Sequence, residues 1–271
     1  MSDSRLNDLA DIENFIYKGR FNEALQVVET LEKAALPINE RLTCQLLKSI
    51  IFKKQGNFLA ALKSIEQIFQ EVRGQNRTQH LFNALIEKIE LFWHLRRVKD
   101  SFTLINQAEQ LLATLAQENP ETLPQSKASL LYQKGILQIY SGNFDQALEY
   151  LEQSLALREK VGNKQDIAWS LNEIGIIFSY KGDYNQSLKY HQQSLALRKE
   201  IGNKQDISGS LGHIARLYAN KSDFSQALQY HQQSLALRKE IGSKKGIAGS
   251  LYNISQIYVE KGDFNRALKH L

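Results

Sequence analysis

The sequence has one cysteine, one methionine, two tryptophans and three prolines in 271 residues. A lone Cys44 excludes an internal disulfide, and with no metal-ligand neighbour it reads as a packing residue of a reducing compartment. Long apolar runs are missing as well. None approaches the roughly 20 residues that span a bilayer, and the opening MSDSRLNDLADIENF has neither a basic nor an apolar signal region. A cytoplasmic chain with no membrane insertion is expected. Also absent are G-x-G-x-x-G, a Walker loop and H-E-x-x-H. SGSLG at 208–212 lacks the first glycine of a nucleophile elbow and lies inside a helical pattern. No enzyme activity, metal or cofactor is expected. His80, His94 and His270 have no Cys, Asp or His at ligand spacing.

What is present is repetition. YHQQSLALRKEIG occupies 190–202 and returns unchanged at 230–242, with YLEQSLALREKVG at 150–162 as a near copy. The turns SGNFDQAL, KGDYNQSL, KSDFSQAL and KGDFNRAL recur every 40 residues from Ser141, and KGRFNEAL, QGNFLAAL and the weaker RRVKDSFT precede them. Ala24, Ala61, Ser101, Ala147, Ser187, Ala227 and Ala267 mark seven equivalent points, spaced 37, 40, 46, 40, 40 and 40 residues apart. A fixed period of this size implies stacked units that cannot bury their apolar faces alone. Leu171, Ile174, Gly175 and Phe178 before a turn, and Leu188, His191, Ser194 and Leu195 after it, keep helical spacing, so each unit is two helices. Gly182 with Asp183 makes the tight connection, and Gly202 follows the second helix where a positive φ is needed. The long interval holds ENPETLPQSK at 118–127, where Pro120 and Pro124 predict a loop.

These residues resemble the tetratricopeptide repeat: Leu171, Ile174, Gly175, Phe178, Gly182, Tyr184, Ser187 and Ser194, matched by Leu211, Ile214, Ala215, Tyr218, Phe224, Ala227 and Ser234, then by Leu251, Ile254, Ser255, Tyr258, Gly262, Phe264 and Ala267. The 40-residue length and the segment EIGNKQDI resemble the long-repeat branch of kinesin light chain and the Pins-type adaptors. Lys134 and Gln138 depart from the pattern, and residues 78–112 lose the turn glycine. The resemblance implies an all-α, right-handed solenoid without β-sheet: three divergent pairs over 1–117, the proline loop over 118–127, then three regular repeats and a truncated fourth over 128–271, in one continuous array.

The copied second helices read as packing, with Ser194 and Ser234 admitting a neighbouring backbone and Leu195 and Leu197 filling one kind of hole. First helices differ much more, so function is sought there. Off the shared stripe they leave Tyr132, Gln133 and Ile136; Asn172, Glu173, Ile176 and Tyr180; His213, Arg216 and Asn220, beside Gly212; and Tyr252, Asn253 and Gln256. In similar proteins such positions line an inner wall that holds a partner peptide or helix, and aromatic and amide side chains suit that task. The Lys and Asn clamp of the chaperone-binding branch is missing, since its places hold Asn172, Ile176, His213, Gly249 and Asn253. No C-terminal Glu-Glu-Val-Asp ligand is expected.

The net charge of +5 is uneven: residues 127–271 carry 19 Lys and Arg against 13 Asp and Glu. Arg158, Lys164, Arg198, Lys204, Arg238, Lys244 and Lys245 fall at the ends of second helices and in the loops after them, which sets them along one basic edge. Cations there complement the helix dipole by ~0.3–1 kcal/mol each. A row of them also suits an acidic partner, nucleic acid or an anionic membrane, but Glu159, Glu200 and Glu240 interleave and no aromatic residues alternate, which argues against nucleic acid. His191 and His231 stand where other units carry Ile65, Ile105 or Leu151 and read as packing. At the end of the chain Ala267, Leu268, Leu271 and the far side of Tyr258 are expected to face solvent, which suggests a piece of a longer protein or self-association. The resulting expectation is a non-enzymatic adaptor. The alternatives are a sensory or regulatory module of a larger signalling protein and, more weakly, nucleic-acid or acidic-partner binding through the basic edge.

Overall fold

The computed structural model describes residues 2–75 and 77–270. Among them every regular element is a helix, and the helices pair into seven antiparallel hairpins. The first unit, Met1–Gly162, holds α1 (Ser2–Tyr17), α2 (Phe21–Glu32), α3 (Ile38–Lys54), α4 (Phe58–Val72), α5 (Thr78–His94), α6 (Val98–Glu118), α7 (Leu123–Tyr140) and α8 (Phe144–Val161). The second, Asn163–Leu271, holds α9 (Lys164–Tyr180), α10 (Tyr184–Ile201), α11 (Lys204–Asn220), α12 (Phe224–Glu240), α13 (Lys244–Glu260) and α14 (Phe264–Leu268). The division falls after Gly162 and not at the proline segment. The loop expected over 118–127 is also shorter. Pro124 lies in the first turn of α7, where a missing N–H is harmless because that group has no partner in any helix.

All seven equivalent turn residues are buried, from Ala24 to Ala267. Each lets the second helix start close against the first. The hairpin turn carries a residue with positive φ: Gly19, Gly56, Gly142, Gly182 and Gly262 serve in five hairpins. Where glycine is lost the conformation survives, on Arg96 (φ 59°) and Ser222 (φ 60°). The packing of the neighbouring helices therefore imposes a backbone shape that these side chains disfavour by roughly 1 kcal/mol. Most second helices are opened by an N-cap: Asp183, Asp223 and Asp263 accept from Gln186, Gln226 and Arg266 N–H at 3.0, 3.1 and 3.0 Å. Gly162 and Gly202 close α8 and α10 with φ near 84° and 83°.

The copied serines have a single task. Ser154 in the first unit donates to the Ala128 carbonyl at 2.7 Å, and Ser194 and Ser234 in the second donate to the Ala168 and Ser208 carbonyls at 2.8 Å each. Every one of these bonds spans 26 residues, from second helix back to first. A larger residue would hold the two backbones apart. The first helix answers with its own small residue, Gly135 facing Leu151 and Gly175 facing His191. Lys134, which departs from the repeat pattern, holds its ammonium 4.6 Å over the Tyr150 ring and pairs with Glu109 at 2.8 Å. Cys44 is fully buried in the core of the first hairpins, and burial pushes its thiol up to about 11.

Two outcomes test this packing. Ser222→Gly should stabilise the chain by about 1 kcal/mol, read as a higher urea midpoint, because glycine adopts the positive φ without strain. Gly135→Ala should destabilise it by ~1–3 kcal/mol, since the new Cβ would stand 2.6 Å from Leu151 Cγ. Leu151→Ala in the same chain should recover part of that loss, and an equal loss in both backgrounds would refute the contact.

Candidate functional site

The first-helix positions expected to face a partner are partly covered in the first unit and more open in the second. In the first unit, Gln133 is buried and its side-chain carbonyl accepts from Trp93 Nε1 at 3.1 Å. Ile136 is buried and Tyr132 half-buried, with the Arg158 guanidinium 4.3 Å over its ring. Gln133 and Ile136 are therefore not an open wall: for Gln133 the cover is the indole of the hairpin before it. The open member of this row is Tyr140, 53% exposed, which was not among the expected positions although it lies 40 residues before Tyr180.

The same register places Glu87 and Glu90 on α5 at the positions of His213 and Arg216, 126 residues on. There Lys53 of α3 reaches both carboxylates, Glu87 at 2.7 Å and Glu90 at 2.9 Å. Burial alone would lower the Lys53 pKa, but the two carboxylates overcome it and hold the ammonium charged. His94 next to this group stacks on Trp93 and Phe58, with centroids 3.9 and 5.2 Å apart. Sequence alone does not single these residues out, because the first unit lacks the regular 40-residue period that marks the row elsewhere.

In the second unit Asn172 is only 5% exposed. It donates to Glu173 Oε1 at 3.0 Å, and its own Oδ1 is buried with no hydrogen-bond partner. It too is withdrawn from the surface. Glu173, Ile176 and His213 are half-buried, whereas Tyr180, Arg216, Asn220, Tyr252, Asn253 and Gln256 are exposed or half-exposed. Two large aromatic rings, Tyr180 at 65% and Tyr252 at 56%, are thus exposed on α9 and α13.

The structure corrects the expected basic edge. Arg158 and Arg198 are buried and Arg238 is half-buried. Their planar forks turn inward. Arg198 Nη1 donates to the Asp206 carbonyl at 3.2 Å and to Ser210 Oγ at 2.7 Å, and Arg238 Nη1 repeats this with the Gly246 carbonyl at 2.9 Å and Ser250 Oγ at 2.8 Å. Lys164, Lys204, Lys244 and Lys245 keep contact with solvent, and Lys164 and Lys204 are paired with Glu200 and Glu240. Ser210 of SGSLG is structural for the same reason, and Ser208 Oγ donates to the Gln205 carbonyl at 2.8 Å. At the last hairpin Leu268 is 70% exposed, but Ala267 is buried and Tyr258 half-buried, and Leu271 lies outside the described residues.

His191 and His231 are buried on second helices, as packing residues would be. Burial, then the nearby charged and titratable groups, lowers His191 to about 2, His213 to about 3 and His231 to about 4. All three are neutral imidazoles at pH 7. The unfolded chain, with ordinary values near ~6.5, takes up more protons below that pH, so stability is full above about pH 6.5 and is lost as the pH falls. Urea denaturation between pH 7 and 5 should show this, each histidine contributing up to ~1.4 kcal/mol per pH unit. His191→Leu, which copies the Leu151 that faces Gly135, should make the slope shallower; an unchanged slope would count against a neutral buried His191.

Among the described residues no helix is long and apolar enough to cross a membrane. No curated protein matches the chain in sequence. The tetratricopeptide repeat family matches residues 126–200 and 206–271. Among solved structures, BtubC (BKLC) from P. vanneervenii is similar at 18% identity and a TM-score of 0.64, over 80% of this chain and 87% of that one. A Rap protein complexed with competence and sporulation factor is similar at 12% identity and a TM-score of 0.70, over 100% of this chain and 75% of that one. NprR in complex with its cognate peptide NprX is similar at 14% identity and a TM-score of 0.64, over 100% and 77%.

Proposed function

The chain belongs to the tetratricopeptide repeat family, and from that premise we propose that it is a non-catalytic binding protein whose first-helix row in the second unit holds a peptide segment of a partner. The observation that carries this reading is the pair of exposed rings Tyr180 and Tyr252 standing in one row with Arg216, Asn220, Asn253 and Gln256. Exposed tyrosine is costly to leave in water and useful in an interface, because a ring with two rotatable bonds brings contact area at low entropic cost. Amides beside it supply the hydrogen bonds that an extended backbone needs. One fold relative was solved with its cognate peptide, NprX, which supports a peptide over a folded surface as the occupant.

The row in the second unit is held on helices whose ends are fixed. Asn163 caps α9 by accepting from Gln165 and Asp166 N–H at 3.0 and 3.2 Å, and Asn203 caps α11 in the same way at 3.0 and 3.1 Å. Ser243 caps α13 by accepting from Gly246 N–H at 3.3 Å, so both rings project from capped helices and less ordering is required when a ligand arrives.

Selection of peptides from a random library on the full chain, followed by titration of the enriched sequences, tests the proposal. Tyr180→Ala, Tyr252→Ala and Asn253→Ala together should weaken binding about tenfold or more, while Lys245→Ala, on an exposed lysine off the row, should change it less than about twofold. Enriched peptides that bind the triple variant as well as the parent chain would refute the row as the site.

A further inference from the structure

Six basic side chains of the second unit crowd together: His191 and Arg198 from α10, His213 and Arg216 from α11, His231 and Arg238 from α12. The His191 and His213 rings stack nearly parallel, 3° apart, with centroids separated by 5.0 Å. Arg216 Nη2 donates to His213 Nδ1 at 3.3 Å, which leaves the proton of that ring on Nε2. Arg238 Nη2 lies 3.5 Å from where a Cβ on Gly212 would be, one residue from His213, and a Cβ on Gly209 would meet nothing within 4 Å. This stretch of α11 is bare of side chains beside a guanidinium.

The charges are not balanced from within. Among the described residues no carboxylate lies within ion-pair distance of Arg198, Arg216 or Arg238. The α9 carboxylate in the row, Glu173, accepts from Asn172, and α13 offers Arg238 only the neutral Gly246 carbonyl and Ser250 hydroxyl. Arg198 Nε, both ring nitrogens of His191 and Nδ1 of His231 are buried with no hydrogen-bond partner. Buried donors in that state cost stability, and the first unit shows what a self-sufficient solution looks like: at the positions of His213 and Arg216 it carries Glu87 and Glu90, both answered by Lys53. No third His, Cys, Asp or Glu among the described residues joins the stacked pair to form a metal set.

We propose that this cluster is an anion site that takes a side-chain carboxylate of an acidic peptide lying along α11, an inference that rests on the row described above and gives its ligand a chemistry. The carboxylate accepts from Arg216 and Arg238, and the His213 imidazole beside it completes the shell. The ring stays neutral and donates its Nε2–H, because a pKa of about 3 lies too far below neutrality for one carboxylate to bring it there.

The test is calorimetry of the full chain at low salt and pH 6.5 with N-acetylated, C-amidated hexaglutamate, and with inorganic phosphate as the second probe. Expected are binding of hexaglutamate, a loss of about tenfold or more in Arg216→Ala and a change below about twofold in Lys245→Ala. Arg216 is exposed, so its variant should keep the parent urea midpoint. Absence of binding, equal losses in Arg216→Ala and Lys245→Ala, or phosphate binding as tightly as hexaglutamate would each overturn the proposal. Library peptides that depend on Tyr180 and Tyr252 but not on Arg216 would remove the anion site and leave the row standing. Hexaglutamate binding that depends on Arg216, with no peptide sensitive to the tyrosines, would do the reverse.

Discussion

An arginine near the end of one hairpin, held by a carbonyl and a serine hydroxyl of the next, is the interaction from which the second unit takes its order. Arg198 reaches Asp206 and Ser210, and Arg238 reaches Gly246 and Ser250. Because a guanidinium is planar and rigid, the two bonds fix both the distance and the rotation between a second helix and the first helix that follows it. Lysine would supply the charge without the geometry. The cost is that a cation enters a crowded interior, and in this unit it does so without an acid to meet it.

That single choice accounts for several features that otherwise look unrelated. Ser210 and Ser250 are there to receive a donor. Gly246 is small because a Cβ would stand 2.9 Å from Arg238 Cδ. His191 and His231, where Leu151 serves in the first unit, lie against the cations as neutral rings, since a second buried charge would be intolerable. At the positions of His213 and Arg216 the first unit has another arrangement, with Lys53 between Glu87 and Glu90.

Much of the fold was legible in the sequence because its signals are local and periodic. The seven small turn residues, Gly182 in its turn and the glycine that ends α10 each report on a few neighbouring backbone atoms, and the structure finds the first buried and both glycines at positive φ. What failed to show was direction. Arg158, Arg198 and Arg238 have a spacing that fits either an exposed edge or an inward clamp, and only the position of the next hairpin decides between them. Gln133 fell into the same gap: a polar residue off the apolar stripe looks solvated until another hairpin covers it. Arg96 and Ser222 show the converse, that tertiary packing enforces a turn whose usual glycine is gone.

The identical segments at 190–202 and 230–242 bear on how such a chain changes over generations. Each carries its own hydroxyl, clamp and cap, so a copied stretch of 40 residues inserted between them would find a complementary seat on both sides. Growth or loss by whole units is then nearly free of structural penalty, while an insertion of any other length would misplace the arginine and strand it in the interior. Unequal recombination between near-identical stretches therefore has a physical filter acting on its products.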